Sequence, residues 1–188
     1  MKSWGKLIVL SGPSGVGKTT LCKKIIERRS DIRYSISATS RPMRRDEKNG
    51  REYFFLSERE FKEWIERGFF IECAVVHNYL YGTPKKYLED NLGNGYHVIM
   101  DVDVQGAKKL MKLYPDGIFV FVIPPDVVEL EKRLQKRNTD KNEEIQSRLA
   151  TALEELKYKN DYKHVIENRD LEDTVSKILS IIENETNL

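Results

Sequence analysis

Cysteine is scarce in this chain. Its 188 residues hold two, Cys22 and Cys73, far apart. A disulfide framework or a cysteine-ligated zinc site needs more thiols at closer spacing, so neither is expected, and a reducing cytoplasmic setting suits the composition. Both thiols are expected to pack as small buried hydrophobes. Long apolar runs are also missing: none approaches the length of a membrane span. Residues 1–6 lead straight into an apolar strand and do not read as a signal peptide. Charge of one sign is not in excess, since 32 Lys and Arg stand against 30 Asp and Glu, a net of +2. That balance speaks against a protein that coats a polyanion, yet leaves room for a local basic site. Internal repeats and low-complexity segments are absent as well. What is left is a chain of one-domain length, 39% hydrophobic and 33% charged, able to bury a substantial core.

Against that background one stretch organises the rest. Ser11-Gly12-Pro13-Ser14-Gly15-Val16-Gly17-Lys18-Thr19 follows the apolar run Leu7-Ile8-Val9-Leu10 and opens an amphipathic segment at residues 21–26. The order strand, glycine-rich loop, helix and the spacing G-x-x-x-x-G-K-[ST] fit a phosphate-binding loop. The glycines let backbone N–H groups converge on a phosphate without interference from a Cβ. The helix beginning at Lys18 points its positive end at the same anion. Lys18 supplies a mobile cation for β- and γ-phosphates, and the Thr19 hydroxyl can ligate Mg²⁺. A strand-to-helix turn with chance glycines is the weaker alternative.

The remaining pattern predicts strands at residues 6–10, 34–37, 52–56, 97–100, 118–123 and 164–166, and residues 69–76 read as an apolar stretch interrupted by one carboxylate. Helices are expected between them. Ser57-Glu58-Arg59-Glu60 has the form of a capping box, and Gly68 should stop the helix it opens. Thr83 is expected to cap a helix with Pro84 at its first position, and Asp126 to cap another. Residues 78–82 read as a turn, and Asn49-Gly50 as a hairpin turn feeding the strand at 52–56. Strands alternating with helices predict an α/β fold with a parallel sheet and helices on both faces. The stretch from about 34 to 87 interrupts the alternation and reads as an inserted β-rich lobe. Ligands of such sheets bind beyond the carboxyl ends of the strands, where Gly12, Gly17, Asp101 and Asp103 all fall.

Several residues carry candidate chemistry. Asp101 ends a core strand, where a carboxylate can hold Mg²⁺ directly or through water, or serve as a strand-end cap. Arg133, Arg137 and Arg148 flank a polar break at residues 138–142; they can close over phosphates or be solvated helix charge. The basic stretch 41–51 suits a second phosphate site better than a nucleic-acid patch, with Arg41 and Arg44 three apart and Tyr53 in reach. Glu72 sits alone in the apolar run Phe70-Ile71-Glu72-Cys73-Ala74. Such a carboxylate needs donors, which either a guanine edge or a structural salt bridge supplies.

Taken in order, these motifs resemble the guanylate kinase family of nucleoside-monophosphate kinases over roughly residues 6–182. The resemblance is carried by the phosphate loop, by Ser35-Ile36-Ser37-Ala38-Thr39-Ser40-Arg41, Asn49-Gly50-x-x-Tyr53, Phe70-Ile71-Glu72, Tyr81-Gly82-Thr83 and Asp101-Val102-Asp103-Val104-Gln105-Gly106. It implies a P-loop kinase core (1–34, 88–136 and 149–188), a GMP-binding lobe (35–87) and a lid (137–148). It implies Mg-dependent transfer of phosphate from ATP to GMP, without nucleic acid, membrane or obligate protein partner. Lys18, Arg41, Arg137 and Arg148 are then the catalytic cations. Residues 12–20 (Gly12, Pro13, Ser14, Gly15, Val16, Gly17, Lys18, Thr19 and Thr20) would bind ATP together with Arg133, Arg137 and Asn168. Ser37, Glu72, Thr83 and Asp103 would read the base of GMP, and Arg41, Arg44, Tyr53, Tyr81 and Arg148 would hold its phosphate. Thr19 and Asp101 would hold the metal. The alternatives are a kinase for another small acceptor and a non-enzymatic peptide-binding module of the same fold.

Overall fold

The apolar run at residues 7–10 becomes β1 (Leu7–Ser11), every residue of which is buried. In the computed structural model, which describes residues 4–76, 78–135 and 142–186, β1 lies at the centre of a parallel sheet. β7 (His97–Asp101) flanks it with Val98 opposite Leu7, and β8 (Ile118–Ile123) flanks it with Ile118 opposite Ile8. β2 (Ile32–Tyr34) and β9 (His164–Glu167) complete the order β2-β7-β1-β8-β9. The two-residue period of β1 divides its side chains between two cores. Ile8 and Leu10 pack with Leu21 and Ile25 of α1 (Lys18–Arg28) and with Val175 and Ile178 of α7 (Leu171–Thr186). Leu7 and Val9 face Leu88 of α3 (Lys85–Gly93) and Leu110 of α4 (Val104–Leu113). Burying each of these aliphatic side chains contributes about 1.5–3 kcal/mol. A smaller cluster, Leu130, Leu134, Ile145 and Ala152, joins α5 (Val127–Gln135) to α6 (Asn142–Leu156). Among the described residues no helix is long and apolar enough to cross a membrane.

Residues 38–84 contain a second sheet. It runs β4-β3-β6-β5, from β3 (Ala38–Thr39), β4 (Phe54–Phe55), β5 (Phe70–Val76) and β6 (Tyr79–Pro84). α2 (Glu58–Glu66) lies between β4 and β5 in the chain, and its Phe61 stacks on Phe70 with ring centroids 4.5 Å apart.

Several local expectations are corrected here. The strand expected at 34–37 does not form as such: β2 ends at Tyr34, residues 35–37 lie in no strand, and β3 begins at Ala38. Gly50 does make a tight turn, with φ +78 and its N–H donating to Tyr53 O at 2.8 Å. The strand that follows pairs in parallel with β3, so it is not a hairpin arm. The turn expected over 78–82 shrinks to Asn78, at φ 67, since residues 79–82 take ladder positions opposite β5. Thr83 does not cap a helix. It lies in β6 opposite Glu72, one residue before the strand ends, and α3 starts at Lys85 with no side-chain cap. Cys22 is fully buried, whereas Cys73 is only partly so.

The capping box read from the sequence forms in full. Ser57 Oγ accepts from Glu60 N–H at 3.2 Å, and Glu60 Oε2 accepts from Ser57 N–H at 2.7 Å. Ser57→Ala removes one half of this exchange and should lower stability by about 1 kcal/mol. Urea unfolding should show a lower midpoint at unchanged slope.

Candidate active site

The phosphate loop is a backbone device, and three left-handed glycines shape it: Gly12, Gly15 and Gly17 at φ 130, 85 and 101. At Gly12 the main chain passes so close to β8 that a Cβ would lie 2.2 Å from Val122 O. Only glycine fits there. α1 then starts with no side-chain cap and no acidic residue in its first turn, so its positive end faces the loop without local neutralisation. Lys18 Nζ folds over the loop, donating to Gly12 O at 2.6 Å and Pro13 O at 3.0 Å. From behind, the Asn168 side-chain amide donates to Val16 O at 2.8 Å, and Arg133 donates to Asn168 O at 3.1 Å. Ser14 N–H donates to Glu155 Oε2 at 3.3 Å.

Asp101 ends β7 beside this loop, and both of its carboxylate oxygens are engaged. Thr19 Oγ1 donates to Oδ2 at 2.6 Å and Tyr34 Oη donates to Oδ1 at 2.5 Å. Two residues on, Asp103 caps α4 by accepting from Gly106 N–H at 2.7 Å. Burial raises its carboxyl above the usual range, although the Gly106 N–H works in the opposite direction.

The second sheet contributes the other wall. Glu72 and Thr83 are ladder partners on β5 and β6, both buried, and Thr83 Oγ1 donates to Glu72 Oε1 at 2.7 Å. Burial raises the Glu72 carboxyl; the Thr83 bond opposes this, and Asp103 adds to it. The start of α4 closes in behind the carboxylate. A Cβ on Gly106 would lie 3.0 Å from Glu72 Oε2 and 3.2 Å from Asp103 Oδ1, so an added methyl group would press on both carboxylates. Arg41 follows β3 and is buried to 8% exposure. Its Nη2 donates to both oxygens of Glu47, at 2.8 and 3.0 Å, and Arg44 N–H donates to the same carboxylate at 2.8 Å. The guanidinium lies 5.6 Å from the Tyr53 ring centroid, and Tyr53 meets Tyr81 edge-on at 5.8 Å.

One crevice collects most of these groups. Gly12, Ser14, Gly15, Gly17, Lys18, Thr19, Asp101 and Asp103 line one side, with Ser37, Arg41, Arg44, Tyr53, Glu72 and Tyr81 on the other. Arg148 and Glu155 of α6 reach it too. Pro13, Val16, Thr83, Arg133 and Asn168 stand behind the lining; Thr20 is exposed on α1. Arg137 lies outside the described residues. The sequence reading missed Tyr34, Glu155 and the anchoring role of Glu47. For Glu155 a signal existed: it follows Arg148 by two helical turns and so shares its face of α6.

Comparison with known proteins agrees with this geometry. A family model described as guanylate kinase matches residues 4–185. The chain is similar to the guanylate kinase of Caldanaerobacter subterraneus subsp. tengcongensis, at 47% identity over 182 residues, 97% of this chain and 88% of the relative. It is 40% identical to that of Thermotoga maritima over 181 residues, 96% and 87% of the two chains. The crystal structure of guanylate kinase from Anaplasma phagocytophilum superposes with a TM-score of 0.83 at 34% identity, covering 98% of this chain and 88% of that one. Shikimate kinase from Bacteroides thetaiotaomicron, at 18% identity and a TM-score of 0.51 over 95% and 98% of the chains, shares the fold alone.

The buried Glu72 carboxylate should cost the fold stability at neutral pH. Its proton is held more tightly in the folded state, so the unfolded chain loses its proton first as pH rises, and the ionised group then weighs against folding. Glu72→Gln keeps an oxygen for Thr83 and should be more stable than wild type at pH 7–8. The gap should close as the pH falls through the Glu72 titration range. Urea unfolding at the two ends of that range measures it.

Proposed function

The chain belongs to the guanylate kinase family, and from that premise we propose how its crevice carries out the family's reaction. The protein transfers a phosphoryl group from ATP to GMP, making ADP and GDP. The observation that supports the residue roles is that two anion-holding arrangements, the phosphate loop and the Arg41–Arg44–Tyr53–Tyr81 group, open into one crevice. The loop amides and Lys18 hold the β- and γ-phosphates of ATP. Arg41, Arg44, Tyr53 and Tyr81 hold the phosphate of GMP. Glu72 and Asp103 accept from the N1–H and 2-amino group of guanine, with Ser37 on the O6 side. Thr83 donates a hydrogen bond to Glu72 and so orients the reader of the base. Asn168 and Arg133 brace the loop from behind.

Three parts follow from this assignment: a core of residues 1–34, 88–136 and 149–188, a GMP-binding lobe of 35–87, and a lid of 137–148 whose final residue, Arg148, lines the crevice. Among the described residues no three His, Cys, Asp or Glu side chains cluster to hold a metal by themselves. Thr19 and Asp101 are hard oxygen donors beside the loop, and they fit a Mg²⁺ ion that takes its other ligands from phosphate and water. When bound, such an ion offsets charge on the β- and γ-phosphates. The protein's own share is alignment. It holds the GMP phosphate oxygen in line with the γ-phosphorus, keeps water out, and meets the transferring charge with Lys18, Arg41 and Arg148. No covalent enzyme intermediate is needed. Nothing favours a scaffold role, because the loop glycines, Lys18 and both phosphate arginines are all present.

Lys18→Ala should lower kcat by roughly 10²- to 10³-fold, the range seen when one preorganised donor is removed, with the circular dichroism spectrum unchanged. A panel of monophosphate acceptors in a coupled ADP assay should show GMP preferred over AMP. Glu72→Gln should cut kcat/KM for GMP and narrow that preference, since unpaired polar groups in a base site discriminate by up to about 10⁴-fold. Equal use of AMP and GMP by the wild type would overturn the base-reading assignment.

A further inference from the structure

Tyr34 is the last residue of β2, and its ring packs against the buried cluster formed by α1, α7 and the sheet. β2 runs parallel to β7 with Tyr34 opposite Ile99, two residues before Asp101. From that register the phenol reaches across to the end of the neighbouring strand and donates to Asp101 Oδ1. Thr19 takes Oδ2. The two donors are not equivalent. As a ligand to a divalent ion, Thr19 offers the ion its oxygen lone pair, and its O–H is then free to turn elsewhere. Tyr34 comes from behind, on a ring fixed by the core. Its O–H is the donor of that hydrogen bond and the carboxylate the acceptor.

We propose that Tyr34 is a positioning residue for the divalent cation, fixing the carboxylate of Asp101 through one hydrogen bond from the core. This rests on the reading that Thr19 and Asp101 hold that ion. The same short segment carries a second link to the site. Ser35 N–H donates to Ile99 O at 2.8 Å, and Ser37 lines the crevice. The edge of the sheet therefore sets the cation's carboxylate and the start of the base-reading strand together. Outer hydrogen-bond partners of metal ligands typically affect metal affinity by 10- to 100-fold. For the loss of one hydrogen bond from a neutral donor, the lower end of that range, about tenfold, is expected.

Tyr34→Phe keeps the ring and removes only the donor. Mn²⁺ binding to the full chain with ATP, followed by electron paramagnetic resonance, should weaken on the order of tenfold. The Mg²⁺ concentration for half-maximal turnover should rise in parallel. Calorimetric affinity for ATP in EDTA and affinity for GMP should match the wild type, which a general loss of folded structure would not allow. Unchanged Mn²⁺ affinity, or an equal loss of ATP affinity with and without metal, overturns the proposal. Asp101→Asn separates the two levels. If it weakens Mn²⁺ binding and Tyr34→Phe does not, the Tyr34 proposal alone falls. If Asp101→Asn leaves Mn²⁺ binding intact, the placement of the ion falls and takes the Tyr34 proposal with it.

Discussion

A crevice that must admit two polyanions is also lined by four carboxylates, Glu72, Asp101, Asp103 and Glu155. Like charges about 4 Å apart repel by roughly 4 kcal/mol near a protein surface, so this arrangement is costly unless each acid is assigned a donor and kept off the phosphate path. The structure gives each a donor. Thr83, Thr19 with Tyr34, Gly106 N–H and Ser14 N–H each hold one of the four. Burial drives the carboxyls of Glu72, Asp103 and Glu155 upward, a sign that the fold carries them at a cost to itself.

Each proposed anion-holding part is braced by a neighbouring side chain. Val16 O is gripped by Asn168. Arg41 is buried with its guanidinium on Glu47, which also takes Arg44 N–H, so one carboxylate sets two arginines. A charged pair of this kind aims side chains more than it stabilises the chain. The chemistry needs fixed direction, since phosphoryl transfer depends on alignment.

Features fixed by neighbours in the chain were legible in the sequence. The phosphate loop, the Ser57 capping box, the bounds of β8 and the alternation that makes the main sheet parallel all depend on short spacings. Thr83-Pro84 shows the limit. Local propensity favours a helix start there, but pairing with β5 holds Thr83 in a strand and turns its hydroxyl to Glu72. β4 was read as a hairpin arm because the Asn49-Gly50 turn is visible and its parallel partner β3 is not. In the site, the residues of the phosphate loop and the arginine pair were found by spacing. Tyr34 was missed because its partner lies 67 residues away and no short pattern marks a contact of that range; Glu155, whose partner lies 141 residues away, was marked only by its spacing from Arg148.

Gly106 bears on how this protein can be made more heat-resistant. Replacing a helical glycine by alanine is a routine engineering step, gaining about 0.5–1 kcal/mol in an ordinary helix. Here the added methyl group would press on Glu72 and Asp103 at once. On the proposed base-reading role of these carboxylates, a variant selected for a higher melting point at this position would trade stability against choice of the nucleobase, and an assay that scored survival alone would not reveal it.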